Sequence, residues 1–291
     1  MKLGILTYHA ACNFGANLQT LSTVSYLKNR GVETHVINWY PTDLEQYYKK
    51  IIPREQIKEH TNFIKQYLPT TERCLNSTQV RDIILSLHLD AVIIGSDAVF
   101  SYIPFYKRVH PSRKTLLGIT KVSSDHSYPN PFWADFKHKT DNIKVFAMSA
   151  SAQYLDIDKC LPIEKKNLLK AIHRFNKITV RDRWTKNVLY SLTGTSYDIT
   201  PDPVFAFNSN VKNHINKTDI VNKFNLPDKY IVISFCNKII TNDWMENLND
   251  IIHQHGFSSV NLAMPEGCQD IKCDYTINTP LSVVFQTVCL G

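Results

Sequence analysis

Nine glycines and 13 prolines among 291 residues are too few for a fibrous or low-complexity chain. No apolar run approaches the roughly 20 residues that cross a bilayer as a helix. The opening Met1-Lys2-Leu3-Gly4-Ile5-Leu6 has too short an apolar stretch for the core of a signal peptide. The seven cysteines are odd in number and scattered, and none form a CxxC pair. The nearest two, Cys268 and Cys273, have no second ligand pair beside them in sequence. Neither a disulfide framework nor a zinc site is expected, and reduced thiols in a cytoplasm are. The chain also lacks GxGxxG and GxSxG, so neither a dinucleotide fingerprint nor a strained serine elbow can be argued. His253 and His255 would point apart on a helix, and the 11 histidines offer no HxxxH pair.

What is present is ordinary for a soluble globular protein: 43% hydrophobic, 11% aromatic and 20% charged residues. At about 100–200 residues per domain the length suggests two domains. Lys plus Arg outnumber Asp plus Glu by 33 to 26, a net charge of +7 spread along the chain. That excess suits an anionic small molecule or a membrane-surface acceptor. No dense basic run with interleaved aromatics occurs, so nucleic acid is not an expected partner.

Short β-rich runs alternate with amphipathic stretches, the pattern of a parallel α/β sheet. Strands are predicted at 3–8, 34–39, 90–95, 143–147, 178–180, 198–200, 230–235 and 260–263. Helices are predicted from Leu18 to Asn29 (closed by Gly31), and over about 162–175, 183–192 and 244–255. Residues 43–90 are mixed, with Pro53 and Pro69 as breaks; 101–140 resemble a long functional loop with short helices, and 209–225 a solvated connection. The domain boundary is expected at 176/177. Trp39, Trp133, Trp184 and Trp244 are expected in the core.

In open α/β sheets ligands sit beyond the carboxyl ends of strands, and four loops meet that condition. The loop His9–Gln19 runs into a helix N-terminus, where free N–H groups attract anions. Gly15 admits close approach there, and Asn17 is the expected N-cap, with Asn13 able to cap or donate. Gly95-Ser96-Asp97 follows one strand, Met148-Ser149-Ala150-Ser151 another, and Thr179-Val180-Arg181-Asp182 a third. Ser96 and Asp97 suit sugar hydroxyls, Ser149 permits close approach, and Arg181 offers a bidentate fork to carboxylate or phosphate. Each loop has a plainer explanation too: a capped turn, a packing turn, or an Arg181 pair with Asp182 or Asp202.

Taken in order, Leu3-Gly4-Ile5-Leu6-Thr7-Tyr8-His9, Asn13-Phe14-Gly15-Ala16-Asn17-Leu18-Gln19, Ile93-Ile94-Gly95-Ser96-Asp97, Val145-Phe146-Ala147-Met148-Ser149-Ala150, Thr179-Val180-Arg181-Asp182 and Asp202-Pro203-Val204-Phe205 resemble the polysaccharide pyruvyl transferase family. The resemblance runs from Lys2 to about residue 265. It implies two Rossmann-like domains facing a cleft, in the manner of B-type glycosyltransferases, over residues 1–176 and 177–291. It further implies transfer from phosphoenolpyruvate to a sugar or lipid-linked glycan, giving a pyruvate ketal, with no cofactor and no metal. Peripheral contact with the membrane surface is implied through the acceptor.

By the same resemblance Arg181, Asn13 and Gly15 bind the donor. His9, Phe14, Gln19, Gly95, Ser96, Asp97 and Ser149 line the acceptor side or the cleft. Two departures stand out. The family continues its Gly-Ser-Asp element with Gln and Trp, whereas Ala98-Val99-Phe100 follow here. The family's Arg/His-Gly signature, with its acid/base His, does not precede Val288-Cys289-Leu290-Gly291. A C-terminally truncated member with an incomplete second domain and no assigned catalytic residue is therefore expected. Alternatives are a nucleotide-sugar glycosyltransferase and a non-catalytic binding remnant.

Overall fold

A computed structural model of the chain describes residues 1–112, 116–211, 221–222, 224–235, 240–263 and 271–278. The elements run β1 (Lys2–Leu6), α1 (Phe14–Lys28), β2 (Glu33–Trp39), α2 (Thr42–Ile51), α3 (Arg54–Tyr67), β3 (Thr70–Cys74), α4 (Ser77–Ser86), β4 (Ala91–Asp97), α5 (Phe105–Arg108), β5 (Val109–Ser112), β6 (Leu116–Ile119), β7 (Lys144–Ala150), α6 (Pro162–Ile172), β8 (Lys177–Val180), α7 (Arg183–Thr193), β9 (Asp198–Ile199), α8 (Phe207–Asn210), β10 (Tyr230–Ile233), α9 (Asn242–Gln254), β11 (Ser258–Ala263) and β12 (Tyr275–Asn278). Contacts divide the chain into two units: Met1–Tyr48 with Ile64–Asn210, and Lys49–Phe63 with Val211–Gly291.

The first unit is built on a seven-stranded sheet in the order β3-β2-β1-β4-β7-β8-β9, parallel throughout. Its central strands are apolar on both faces because both are covered. Leu6, Ile37, Val92, Ile94 and Val145 are wholly buried. Helix α1 is covered on both sides as well, which explains its lack of an apolar stripe. One face lies on the sheet; the other carries Ser22, whose hydroxyl donates to the Pro203 carbonyl at 2.7 Å and accepts from Asn210 Nδ2 at 3.0 Å. The second unit shows a parallel sheet β10-β11-β12 with α9 packed through Met245 and Ile252 onto Ile233 and Ile271.

The first sheet continues past the expected boundary at 176/177. Strand β8 pairs with β7 (Ala147 beside Ile178, Ala150 beside Val180) and β9 with β8, so residues 177–199 extend the first sheet. The first unit reaches Asn210, and Lys49–Phe63 clusters with the second unit. The mixed stretch 43–90 resolves into α2, α3, β3 and α4, with Pro53 between the first two helices. Strand β12 has no counterpart among the predicted strands. Trp39 and Trp133 are buried, but Trp184 and Trp244 are exposed on helices. Most of the 209–225 connection, Cys268 and the terminal residues 279–291 lie outside the described residues.

The segment 101–140 is half core rather than loop alone. Asn130 gathers it, donating from Nδ2 to the carbonyls of Ser124, Asp125 and Ser127 at 2.7–3.2 Å and accepting from Phe132 N–H at 2.8 Å. Phe132 and Trp133 then pack inward, Trp133 stacking on Phe100 with ring centroids 5.1 Å apart. Val99 and Phe100 are wholly buried there, so the departure after Gly-Ser-Asp is a packing change.

Candidate active site

Because the sheet is parallel, the carboxyl ends of β1, β4, β7, β8 and β9 lie along one edge. The strand order reverses at β1, which places a crevice between the loops after β1 and β4.

The loop after β1 ends at Asn13, whose Oδ1 accepts the Ala16 N–H at 3.1 Å and caps α1. The helix thus starts at Phe14, four residues before the Leu18 that apolar periodicity suggests. Asn17, the expected cap, is instead buried in the helix, and its Nδ2 donates to the His9 carbonyl at 2.7 Å. Gly15 sits in the first turn, where a Cβ would stand 3.1 Å from Asn13 Oδ1. Asn13 and Gly15 are exposed and Phe14 half-buried. His9 is buried, its ring nitrogens 3.2 Å from the Thr7 carbonyl and 3.1 Å from Asn38 Oδ1. Burial lowers its pKa, so the ring is neutral at pH 7.

After β4, Gly95 has φ +117, and a Cβ there would meet the Met148 carbonyl oxygen at 2.3 Å. Ser96 Oγ lies 2.9 Å from both the Ser149 carbonyl and Asp202 Oδ2. Ser149 Oγ bonds Thr200 Oγ1 at 2.9 Å and the Pro201 carbonyl at 2.8 Å. Gln19 Nε2 donates to Thr7 Oγ1 at 3.3 Å, with Asp97 Oδ2 at 3.5 Å. His9, Gln19, Ser96 and Ser149, expected on the acceptor side or lining the cleft, are buried, and these hydrogen bonds hold the strand tips together.

Asp97 and Arg181 are more open. Asp97 Oδ1 accepts the Ala98 N–H at 2.8 Å and lies 4.0 Å from Arg181 Nη1. Arg181 donates from Nη1 to Asp202 Oδ2 at 3.1 Å, and about a third of its side chain stays exposed. Of the two pairings considered for it, Asp202 is the one formed; Asp182 instead caps α7 through Thr185 N–H at 2.7 Å. Burial raises the Asp97 pKa, the Ala98 N–H and Arg181 oppose the rise, and Asp202 adds to it.

Asp97, Ala98, Asn13, Ala16 and Tyr8 open onto a cavity of about 600 Å³ in the first unit. Its other walls come from Asp43, Tyr47 and Tyr48 on α2, and from Lys121, Asp125, His126 and Tyr154. None of these seven was a sequence candidate; the Tyr, His and Lys content of 101–140 was a signal for Lys121, Asp125 and His126 alone. Asp43 ties the far wall to α2, its carboxylate accepting the Ser124 N–H at 2.7 Å and hydroxyl at 2.8 Å. Burial, then the Asp125 carboxylate, pushes the Tyr8 and Tyr48 phenols upward, so both remain hydrogen-bond donors. Carboxylates, phenols and a helix N-terminus around one cavity suit a hydroxyl-rich ligand. Among the described residues no group of three His, Cys, Asp or Glu is placed to hold a metal, and no helix is long and apolar enough to cross a membrane.

No curated protein matches the chain in sequence. Among solved structures it is similar to the UDP-GlcNAc 2-epimerase from Methanocaldococcus jannaschii, at 12% identity and TM-score 0.43, with 98% of this chain and 76% of that one covered. It is also similar to the UDP-N-acetylglucosamine 2-epimerase from Rickettsia bellii, at 12% identity and TM-score 0.40, covering 91% and 62%. The sequence profile of one family, described as polysaccharide pyruvyl transferase, matches residues 13–264, which include the α1 cap, Asp97 and Arg181. The chain belongs to the polysaccharide pyruvyl transferase family.

Proposed function

We propose that this enzyme takes the pyruvyl group from phosphoenolpyruvate and places it on two hydroxyls of a sugar unit, in a polysaccharide or its lipid-linked precursor. The balance is simple. The methylene carbon of the donor gains a proton, C2 forms two C–O bonds, its bond to the phosphate oxygen breaks, and the second hydroxyl proton leaves with phosphate. The product is a pyruvate ketal, and the step needs no cofactor.

The observation that carries this reading is the row Asp97–Arg181–Asp202, of which Asp97 lines the cavity onto which the α1 N-terminus opens through Asn13 and Ala16. Arg181 has five N–H donors, and among the described residues only Nη1 is engaged. The remaining donors, with the first-turn amides at Asn13–Gly15, suit the donor's carboxylate and phosphate. Asp97 faces the cavity with a raised pKa and suits the proton of an attacking hydroxyl. Phe14, half-buried at the opening of α1, is assigned to the acceptor side in this proposal.

Contact with a membrane surface is part of the proposal. The antiparallel β5–β6 hairpin exposes Leu117 and Ile119, with Tyr106 exposed on neighbouring α5, in a stretch that also carries Lys107, Arg108 and Lys121. Exposed apolar side chains in a stretch rich in cations suit an anionic lipid surface, and a cytoplasmic site of action fits the free cysteines Cys12, Cys74, Cys160 and Cys273.

Thermal unfolding of the full chain tests the donor assignment. Phosphoenolpyruvate should raise Tm, a nucleotide sugar should not, and Arg181→Ala should lose the shift while still unfolding cooperatively. An undiminished shift in Arg181→Ala removes that residue from the donor site.

A further inference from the structure

We propose that Asp125 makes the first-unit cavity a subsite for an uncharged, hydroxyl-bearing sugar and bars acidic sugars from it. The proposal rests on the acceptor reading above and adds the class of acceptor.

Asp125 lines the cavity although its side chain is only 7% exposed. One oxygen, Oδ2, accepts the Tyr8 hydroxyl at 3.1 Å and lies 3.6 Å from His126 Nε2. The other, Oδ1, is buried and has no hydrogen-bond partner among the described residues. Buried polar atoms are rarely left unsatisfied, and a carboxylate oxygen can only accept. A ligand that brings a donor to that point removes the deficit, and a sugar hydroxyl is such a donor.

The charge around it selects further. Among the described residues three carboxylates, Asp43, Asp97 and Asp125, line the cavity, with Lys121 and His126 as the basic side chains facing them. A uronate or phosphorylated sugar seated on Asp125 would set its negative charge beside these carboxylates rather than on Arg181 and the α1 amides assigned to the donor's anions, and in a partly enclosed space that repulsion is poorly screened. The tyrosines complete the fit. Tyr47 and Tyr154 keep half their surface exposed. Each offers an apolar ring for the C–H face of a pyranose and a hydroxyl for its rim.

Titration of the full chain with p-nitrophenyl β-galactoside and β-glucoside, and with the corresponding uronides, tests this by saturation-transfer NMR. At least one neutral hexoside should bind, its uronide at least tenfold more weakly. Asp125→Asn should weaken the neutral hexoside about tenfold and narrow the gap to the uronide. Lys121→Gln, at an exposed position where folding is not at risk, should widen it. Equal binding of a hexoside and its uronide, no hexoside binding, or an unchanged ratio in both variants overturns the proposal. The titrations contain no phosphoenolpyruvate. A chain that binds neutral hexosides through Asp125 yet releases no phosphate contradicts pyruvyl transfer alone; one that pyruvylates uronides contradicts the present inference alone.

Discussion

At the scale of single residues, the site is a division between groups that hold and groups that face outward. Ser96, Ser149, Gln19 and His9 spend their hydrogen bonds on the strand tips, leaving Asp97 and Arg181 at the edge. With Asp97 as the proton acceptor, Asp97→Asn should lower kcat by about 10²–10⁴ with little loss of fold. The wild-type rate should fall toward low pH with a limb above the ordinary carboxylate range, because burial raises this group. A variant that keeps that limb contradicts the role. Gly95→Ala should cost at least about 3 kcal/mol, since both the φ of +117 and the 2.3 Å approach to Met148 O exclude a side chain; chemical denaturation reads it. Residue type alone announced these loops, because Ser, Asp and Arg at strand ends are few. It could not say which would be buried: Ser96 and Asp97 are neighbours in sequence and opposite in exposure, a consequence of how the chain turns after β4.

At the scale of elements, helix α1 shows why a start can be misplaced. Its apolar residues begin at Leu18, but a cap is fixed by one hydrogen bond, here Asn13 to Ala16, and the first turn carries small and polar residues. Asn13→Ala should cost about 1 kcal/mol and weaken phosphoenolpyruvate protection together, since cap and donor contact share that turn. Loss of stability without loss of protection would separate the two. The segment 101–140 reads in sequence as a long functional loop with short helices, and Lys121, Asp125 and His126 from it line the cavity. Trp133 was expected in the core, but the aromatic half around it could not be recognised as a packed unit, because Asn130 holds it through irregular backbone rather than a periodic element. The β5–β6 hairpin gives a separate test. Leu117→Ser with Ile119→Ser should abolish sedimentation with vesicles containing anionic phosphatidylglycerol and leave donor protection unchanged. Sedimentation of the double variant at the wild-type level contradicts a lipid role for the hairpin.

At the scale of the whole molecule, alternation of strand and helix was enough for the α/β class, and strict order of short motifs was enough for the family. The extent of each unit was not readable, since β8 and β9 are four and two residues long and only their hydrogen bonds show which sheet they join. Buried histidines should make the molecule acid-sensitive. Burial lowers His60 from 6.5 to about 4, and lowers His9 in the same direction. The unfolded chain therefore binds more protons, so this stability is complete above pH 6.5 and is lost as pH falls toward 4. The loss from His60 is roughly 3 kcal/mol, and His60→Leu should flatten the dependence over that window. A slope unchanged in His60→Leu would place the acid sensitivity elsewhere.

Pyruvyl transfer itself is tested most directly by incubating the full chain with isotope-labelled phosphoenolpyruvate and neutral hexosides, following phosphate and the sugar together. The account predicts phosphate release that depends on the sugar, matched mole for mole by a labelled ketal methyl group on it. Phosphate released equally without sugar, or a sugar modified only when a nucleotide sugar replaces phosphoenolpyruvate, would contradict it.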